Sequence, residues 1–263
     1  MYSTLFLILG SYLILREGSS APGAVQIVNG TVAKDGEFPY IVELRNVKNV
    51  FLCGGSIIGE KWVLTAGHCV ETRSVQNVVY GTNILYNTKE VDTYINVSKL
   101  YLHPKFKYNF TTVGAVPLYD IGIVELEKPF PFSDKVSPIV LTDSYFVPYH
   151  INGILSGWGT NSTNGSLQHE LQKVTLQLLT AQECIDQITK YSGEDFFNPI
   201  HNLCSDDYWK GECFGDSGSP YVIDNIQYGV VSWSIKPCGS NPGTYSHIGN
   251  PDYRDFIKNI TGI

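Results

Sequence analysis

Three short segments of the 263-residue chain carry residue types that could together activate a hydroxyl group. His68 lies in the segment LTAGHC, Asp120 lies in YDIGIV, and Ser217 lies in CFGDSGSP. A neutral serine hydroxyl is a poor nucleophile, but a neighbouring imidazole can remove its proton as a general base. A carboxylate beside that imidazole can hold its tautomer and stabilise its charged form. The three residue types therefore fit a nucleophile, a base and a group that orients the base.

His68 differs from the other histidines in its neighbour, Cys69. A lone histidine is usually structural, but a disulfide at Cys69 could fix the backbone that aims this imidazole. The other five histidines lie in unremarkable polar sequence contexts, and none forms a His-x-x-x-His pair or a similar metal-binding pair. They are His103, His150, His169, His201 and His247. His68 is therefore the candidate base.

Asp120 and Ser217 also have ordinary structural interpretations. An aspartate at the start of a strand most often caps a turn, but a carboxylate that enters a core needs a strong partner such as an imidazole. Gly215 and Gly218 lie on either side of the serine. They allow a tight turn that presents the hydroxyl and leaves neighbouring N–H groups free to donate. A plain Gly/Ser turn does not explain why the other two motifs accompany it.

Most elements that must position these residues are short strands. Apolar runs bounded by Gly, Asn, Asp or Pro recur along the chain, and this pattern predicts strands. The runs are Tyr40–Leu44, Trp62–Thr65, Tyr94–Leu102, Ile121–Leu126, Ile154–Trp158, Val174–Leu179 and Gln227–Trp233. No linker or low-complexity segment divides the chain, so we expect one mature folded unit.

Two segments predict helices instead. Thr180 and Glu183 form a capping box that opens a short helix carrying Cys184. Near the end of the chain, Asn250 is a good N-cap and is followed by proline. The apolar face of this second helix consists of Tyr253, Phe256, Ile257 and Ile260, at helical spacing. We expect that face to dock onto the strands.

Composition excludes several classes of protein. The chain is 43% hydrophobic and 16% charged, which rules out intrinsic disorder as the main state. Its 25 glycines and 13 prolines follow no repeat, which excludes collagen and coiled coil. The formal charge of −7 includes no basic block, so we expect neither nucleic acid nor an anionic membrane surface as a partner.

The N-terminus and the cysteines predict a secreted protein. The apolar run Leu5–Leu15 has the length of a signal peptide, followed by small residues, and is too short for the ~20 residues of a spanning helix. An uncleaved signal anchor is the alternative. Six cysteines leave no odd thiol, which predicts disulfides formed in an oxidising compartment. Six N-glycosylation sequons agree with secretion, at Asn29, Asn96, Asn109, Asn161, Asn164 and Asn259.

From Ile27 to the C-terminal helix, the chain resembles secreted serine endopeptidases of the trypsin/chymotrypsin family, and is similar in outline to arthropod chymotrypsin-like enzymes. The order of the three motifs, the segments Ser156–Gly159 and Ser232–Trp233, and all six cysteines carry the resemblance. It implies an all-β fold of two packed antiparallel six-stranded β-barrels with a short C-terminal helix. The active site would then lie in the cleft between the barrels.

The resemblance implies a role for each motif residue. Ser217 would be the nucleophile, His68 the general base and Asp120 its orienting carboxylate. The backbone N–H groups of Gly215 and Ser217 would form the oxyanion hole. The implied disulfides join Cys53 to Cys69, Cys184 to Cys204, and Cys213 to Cys238.

Activation is likewise implied by resemblance. Residues 1–20 would be the signal peptide, residues 21–26 a short propeptide, and residues 27–263 the peptidase domain. The new ammonium group at Ile27 would pair with the carboxylate of Asp216 and order the oxyanion turn. Gln26 precedes Ile27, where the family generally has Arg or Lys, so the sequence does not identify the activating protease.

The primary pocket, which would receive the substrate side chain before the scissile bond (P1), departs from the trypsin pattern. Gly211 takes the place of the trypsin-type aspartate at the pocket base, and Glu212 follows it. Ser234 replaces a wall glycine, and Gly243 leaves the opposite wall open. We predict a preference for large apolar or aromatic P1 side chains. A basic P1 side chain paired with Glu212 is the competing interpretation, and a solvated Glu212 that turns away is the third. Ser232 and Trp233 complete the expected pocket.

No cofactor is expected. The family's calcium loop is not clear here, because Gly81 is followed by Thr82 and Asn83 and only Glu90 lies near its far end, so we predict no required metal. The expected partners are polypeptide substrates, protein protease inhibitors and the unidentified activating protease. The alternative function is a catalytically silent family member that acts as a binding or decoy protein.

Overall fold

A computed structural model describes residues 30–72, 74–86, 93–206 and 210–263 of the chain. The expected signal peptide and propeptide, Ile27, Asn29 and Glu90 lie outside the described residues. Within them, the strands are β1 (Thr31–Val32), β2 (Ile41–Asn46), β3 (Phe51–Gly59), β4 (Trp62–Thr65), β5 (Val75–Tyr80), β6 (Tyr94–Leu102), β7 (Lys107–Thr111), β8 (Gly114–Leu118), β9 (Gly122–Leu126), β10 (Val140–Leu141), β11 (Asn152–Gly157), β12 (Gln172–Leu178), β13 (Asn202–Asp206), β14 (Pro220–Ile223), β15 (Ile226–Ser234) and β16 (Gly243–His247). The helices are α1 (Gly67–Glu71), α2 (Ala181–Ser192) and α3 (Pro251–Thr261).

The first half of the chain forms a closed barrel of six strands in the order β2-β3-β4-β9-β6-β5. Every neighbouring pair is antiparallel. Leu44 lies opposite Cys53 on one side and Val78 on the other, and all three are buried. Closure leaves no unpaired edge within this ring and encloses an apolar core.

The second half forms another ring of six antiparallel strands. The path runs β12-β11-β14-β15-β16-β13, and β13 pairs back onto β12 through Leu178 and Ser205. Tyr221 and Tyr245 fill its interior with ring centroids 4.7 Å apart, and both are fully buried. The predicted all-β fold of two antiparallel six-stranded barrels with a short C-terminal helix is confirmed.

Both predicted helices begin where expected. The capping box at α2 is complete, because Thr180 accepts from the N–H of Glu183 while the Glu183 carboxylate accepts from the N–H of Thr180. At α3, the side chain of Asn250 accepts from the N–H of Asp252. Tyr253, together with Ile257, is buried in the same apolar cluster as β4 and β9, so the predicted face of α3 docks onto the strands.

The cysteines pair as the resemblance implied. Disulfides join Cys53 to Cys69, Cys184 to Cys204, and Cys213 to Cys238, across separations of 16, 20 and 25 residues. Loops of this length correspond to about 3 kcal/mol of stabilisation each in a chain-entropy treatment. The first bond reinforces the segment that carries His68, and the third reinforces the segment that carries Ser217.

The two barrels touch through closely spaced backbone. The N–H of Gly54 in β3 donates to the carbonyl oxygen of Ser217, at 2.9 Å. A β-carbon at Gly54 would lie 2.3 Å from the hydroxyl oxygen of Ser219 and 3.4 Å from its Cα. Ser219 itself is fully buried. Gly54 is therefore required because the two barrels approach closely here, and a larger residue would collide with the Ser219 side chain.

We expect Gly54→Ala to lower the free energy of unfolding by about 1 to 3 kcal/mol, because the added methyl group overlaps Ser219. Ser219→Gly removes the atoms nearest to that methyl group, so the two substitutions should couple favourably by roughly 1 kcal/mol or more. Urea unfolding, followed by tryptophan fluorescence for both single variants and the double variant in a Ser217→Ala background, measures the coupling. Additive effects of the two substitutions would contradict the proposed contact.

Candidate active site

His68 is held by the end of a strand, a short helix and a disulfide. Strand β4 ends at Thr65, and α1 begins two residues later at Gly67. Cys69, the residue after His68, is bonded to Cys53 in β3. The backbone of His68 is therefore fixed to the wall of the first barrel on both sides.

Asp120 binds both the ring and the backbone of His68. Its Oδ2 atom lies 2.8 Å from His68 Nδ1, and its Oδ1 atom accepts from the His68 N–H at 2.7 Å. The Asp120 side chain is 1% exposed. Because an ionised carboxylate only accepts hydrogen bonds, Nδ1 carries the proton in this pair. The other ring nitrogen, Nε2, is left with a lone pair that can accept a proton.

Two serines of the second barrel hold Asp120 from the opposite side. The hydroxyl of Ser232 in β15 donates to Asp120 Oδ2 at 2.6 Å. The hydroxyl of Ser246 in β16 donates to the Asp120 carbonyl oxygen at 2.5 Å. Ser232 was expected only as a pocket residue, and nothing in its sequence context indicated a bond to Asp120. Ser246 was not singled out at all.

The environment of His68 favours its charged form. Burial disfavours the imidazolium, but the charge of Asp120, the hydrogen bond to it and the more distant charge of Glu71 together raise the pKa of His68 above its ordinary value. An imidazole with a raised pKa is a stronger base toward a hydroxyl proton.

Ser217 lies beside the backbone that carries His68. Its carbonyl oxygen accepts from the N–H of Gly54, the neighbour of the disulfide-bonded Cys53. A β-carbon at Gly218 would lie 2.2 Å from Thr65 Oγ1 and 3.4 Å from the backbone nitrogen of Ala66. The turn that carries Ser217 therefore packs directly against the end of β4, where the His68 segment begins.

The turn around Ser217 depends on glycine. Gly215 and Gly218 have φ angles of +96° and +81°, in the region that L side chains rarely adopt. A β-carbon at Gly215 would also lie 2.5 Å from Leu167. Among the backbone hydrogen bonds of the described residues, the N–H groups of Gly215 and Ser217 have no acceptor, whereas the N–H of Asp216 donates to the Cys213 carbonyl.

Asp216 is fully buried in the wall behind this turn. Its carboxylate accepts from the N–H of Gly159 at 2.9 Å and from the N–H of Cys213 at 3.0 Å. A β-carbon at Gly157 would lie 2.3 Å from this carboxylate, and one at Gly159 would lie 2.1 Å from it. The two glycines of the segment Ser156–Gly159 are therefore needed because the carboxylate of Asp216 occupies the space beside them.

A cavity of about 190 Å³ opens next to Ser217, and we call it the Ser217 cavity. Its lining consists of Glu212, Cys213, Phe214, Ser217, Val231, Ser232, Trp233, Ser234 and Lys236. Four of the six expected pocket residues are among them. Gly211 and Gly243 are not in the lining. Gly211 has a φ of +129°, and Gly243 lies opposite Ser234 in the ladder between β15 and β16.

Glu212 is directed at backbone in the cavity wall. It is 3% exposed, and its Oε1 atom accepts from the N–H of Thr244 at 3.1 Å. A carboxylate oxygen engaged in this way is directed toward the second barrel and away from solvent. The solvated, outward orientation considered from the sequence is therefore wrong.

One wall of the site was not predicted from the sequence. Strands β7 and β8 form a hairpin directly before Asp120. Phe106 lies near the start of this hairpin. A β-carbon at Gly67 would lie 2.9 Å from the Phe106 ring, which explains why the residue beside His68 is glycine. At its tip, Thr112 donates two hydrogen bonds to the carboxylate of Glu194, beyond the end of α2. The hairpin thus reaches from the first barrel to the second.

Two histidines with polar sequence contexts are in fact buried. His103 is stacked on Tyr119, with ring centroids 5.1 Å apart, and His247 is stacked on Tyr145. Burial lowers the pKa of His247 to about 4 and also lowers the pKa of His103. Tyr119 has a φ of +53°, unusual for a side chain of its size, and it immediately precedes Asp120. The stacked ring therefore helps to fix the backbone that leads into Asp120.

His68 also belongs to a group with metal-ligand spacing, together with Cys53 and Cys69. The two sulfurs are bonded to each other, so neither offers the thiolate that a metal requires. In the segment compared with the family's calcium loop, Asn83 is engaged with protein. Its side-chain amide donates to the Lys34 carbonyl, and its own carbonyl accepts from the Trp158 ring N–H.

Comparisons with known proteins agree with this geometry. The family model described as Trypsin matches residues 27–257. Venom serine protease 34 of Apis mellifera is 31% identical over 249 residues, which cover 90% of this chain and 58% of that relative. Serine proteinase stubble of Drosophila melanogaster is 31% identical over 240 residues, covering 85% of this chain and 30% of that relative.

Coagulation factor IX of Oryctolagus cuniculus is 31% identical over 227 residues, which cover 84% of this chain and 79% of that relative. The chain therefore spans most of this relative but only 58% and 30% of the first two. The family model covers well over half of the chain, including His68, Asp120 and Ser217. The chain belongs to the trypsin family of serine proteases.

Proposed function

We propose that the chain is a secreted serine endopeptidase that hydrolyses peptide bonds through Ser217, His68 and Asp120. The observation that carries the proposal is the buried Asp120 carboxylate, which fixes the His68 ring through Nδ1 at 2.8 Å beside the Ser217 turn. This arrangement leaves one ring nitrogen as the base and one hydroxyl as the nucleophile.

In the proposed mechanism, His68 Nε2 takes the Ser217 proton as the hydroxyl oxygen attacks the carbonyl carbon of the scissile bond. The imidazolium that forms is stabilised by the Asp120 charge. His68 then gives its proton to the leaving amine, and an acyl-enzyme remains on Ser217. Water, deprotonated by His68, hydrolyses that ester and restores the hydroxyl.

The oxyanion of each tetrahedral intermediate would be bound by the N–H groups of Gly215 and Ser217. Their lack of acceptors among the backbone bonds of the described residues supports this assignment. Such preorganised donors are worth about 3 kcal/mol each in acyl transfer. The positive φ of Gly215 is a conformation that glycine adopts readily, so this residue type suits the turn.

Activation would follow cleavage before Ile27, whose new ammonium group would pair with Asp216. The burial of Asp216 and the space left by Gly157 and Gly159 support a role for this carboxylate behind the oxyanion turn. Ile27 itself lies outside the described residues. We propose that residues 1–20 are a signal peptide and that residues 21–26 are a propeptide.

For the primary pocket we propose large apolar or aromatic P1 side chains. The bond from Thr244 N–H to Glu212 supports this preference, because a carboxylate with a backbone donor has less need of a basic substrate side chain. The absence of an acidic residue at position 211 supports it as well. A basic P1 side chain bound by Glu212 is the competing specificity.

Secretion is supported by the three disulfides, which form in oxidising compartments. Within the described ranges, no helix is long and apolar enough to cross a membrane. The expected partners are polypeptide substrates and protein protease inhibitors. A silent decoy protein is less well supported, because such a protein would not need the three donors that orient Asp120 and His68.

We expect Ser217→Ala to abolish peptide hydrolysis and labelling by a fluorophosphonate probe, because no other side chain supplies the nucleophile. The substitution removes a hydroxyl and no core volume, so the free energy of unfolding should change by less than about 0.5 kcal/mol. Rates should fall by several orders of magnitude, roughly 10⁴-fold or more. Ser162→Ala at an exposed site is the matched control and should retain full labelling. Labelling of the Ser217→Ala variant would contradict the proposal.

The raised pKa of His68 sets the acidic limb of the pH profile. His68 must be neutral to accept a proton, so kcat/KM should rise with a midpoint above the ordinary imidazole value of 6.5. In Asp120→Asn the carboxylate charge is lost while burial remains, so the midpoint should move below 6.5 and kcat should fall about 10⁴-fold. Asp186→Asn on α2 is the matched control. An acidic limb that does not move between wild type and Asp120→Asn would contradict this assignment.

The activation mechanism predicts that the mature protein begins at Ile27 and depends on Asp216. We expect Asp216→Asn to remain folded by circular dichroism but to lose about 100-fold or more in kcat/KM, because a buried ion pair is worth roughly 3 kcal/mol or more. Asp224→Asn in an exposed turn is the matched control. N-terminal sequencing tests the other half of the mechanism. An active form that begins at Ala21 or Ala24 would show the mechanism to be wrong.

A further inference from the structure

Lys236 lines the Ser217 cavity, although no sequence motif assigned it a role. It lies two residues after the end of β15, the strand that carries Ser232 and Ser234. Its side chain is half-buried. A lysine usually keeps its ammonium group fully in water, so a partly desolvated ammonium beside a nucleophile needs a physical explanation.

The ammonium group of Lys236 lies beside Phe214 and the Cys213–Cys238 disulfide. Its Nζ atom lies 3.7 Å from the ring centroid of Phe214, a cation–π contact with the residue that precedes the oxyanion turn. Nζ also lies 3.3 Å from the sulfur of Cys238, which is bonded to Cys213 on the Phe214 side. These contacts place the charge of Lys236 at the cavity.

Glu212 lines the same cavity. Burial lowers the pKa of Lys236, while the negative charges of Glu212 and Asp216 oppose that effect. The charges of both buried acids, Glu212 and Asp216, therefore act on Lys236. Among the charged side chains that line the cavity, one is negative and one is positive, so the lining is close to electrically neutral.

We infer that Lys236 is a specificity-determining residue of the primary pocket, which neutralises Glu212 and excludes Lys and Arg side chains from P1. The inference rests on the proposed endopeptidase function and identifies its substrate class. A substrate guanidinium or ammonium group that entered the cavity would be attracted by Glu212 but repelled by the positive charge of Lys236. An uncharged side chain meets no such opposition, and Phe214 offers it an apolar surface.

The inference separates two pockets that the sequence alone could not distinguish. With Glu212 alone, the pocket would present a buried acid that a basic P1 side chain could satisfy. Lys236 lines the same cavity, so its charge would oppose that attraction from within the protein. The charge of Lys236, rather than the position of Glu212, would then decide between basic and apolar substrates.

The test compares Lys236→Met, which keeps the length of the side chain and removes its charge, with Lys236→Arg, which keeps the charge. Peptides that differ only at P1 (Tyr, Leu, Arg or Lys) give kcat/KM for each variant. We expect Lys236→Met to raise the ratio of Arg to Tyr cleavage about tenfold or more, since like charges in contact cost more than one factor of ten in affinity. Lys236→Arg should leave the ratio low.

A double substitution identifies the source of the effect. In Lys236→Met combined with Glu212→Gln, the gain for Arg should disappear, because no acid remains to attract it. Lys258→Gln on the exposed side of α3 is the control for a general loss of one positive charge and should leave the ratio unchanged. An unchanged ratio in Lys236→Met, or an equal gain in the double variant, would overturn the inference.

Equilibrium binding keeps this test independent of catalysis. p-Aminobenzamidine, a cationic aromatic amidine, reports occupancy of the primary pocket by its fluorescence, and Ser217→Ala protein can be used. We expect Lys236→Met to bind it about tenfold or more tightly than protein with Lys236 intact. Equal affinities of the two proteins for this probe would overturn the inference, even if the protein proved to have no peptidase activity. Conversely, active protein with equal affinities would leave the endopeptidase function standing and remove only the role of Lys236.

Discussion

The carboxyl group of Asp120 is the point on which the rest of the site depends. It belongs to the first barrel, where it binds the ring and backbone of His68, yet it also accepts from Ser232 of the second barrel, while Ser246 of that barrel donates to the Asp120 carbonyl oxygen. A buried carboxylate is costly unless several donors satisfy it, and here both halves of the protein supply them. The bonds that orient the His68 ring therefore also hold the two barrels in one relative position. A change in the geometry of the cleft would change the position of His68 as well.

Several glycines around the site are required by close approach, in addition to Gly215 and Gly218 with their positive φ angles. Gly54 faces the hydroxyl of Ser219, and the glycines on either side of Trp158 face the carboxylate of Asp216. In each case a single methyl group would displace a polar atom of the turn that carries Ser217. Gly67 is similar, because Phe106 fills the space beside it. Gly67 is therefore coupled to the start of the β7–β8 hairpin.

Sequence periodicity predicted much of this architecture, but it could not predict all of it. Strands β4 and β6 and the starts of α2 and α3 were found because each has a regular apolar pattern or a cap. Strand β3 was missed because its central Cys-Gly-Gly-Ser segment lacks apolar alternation, and the β7–β8 hairpin was missed because its strands are largely exposed. His68, Asp120 and Ser217 carry motif signals of their own. Ser246 and Lys236 act through contacts between distant segments, and no local pattern encodes such contacts.

The Ser217 cavity illustrates why single residues are poor guides to specificity. Glu212 taken alone suggests a basic substrate, and Gly211 taken alone suggests a neutral one. A buried charge is satisfied by its whole surroundings, which for Glu212 include the N–H of Thr244 and, in our proposal, the charge of Lys236 in the same cavity. Lys236 is in turn held by Phe214, whose neighbour Gly215 begins the oxyanion turn. Charge balance in the pocket and the shape of the catalytic turn thus share one short segment, so a substitution that changed substrate preference through Phe214 would also act on the rate of the chemical step.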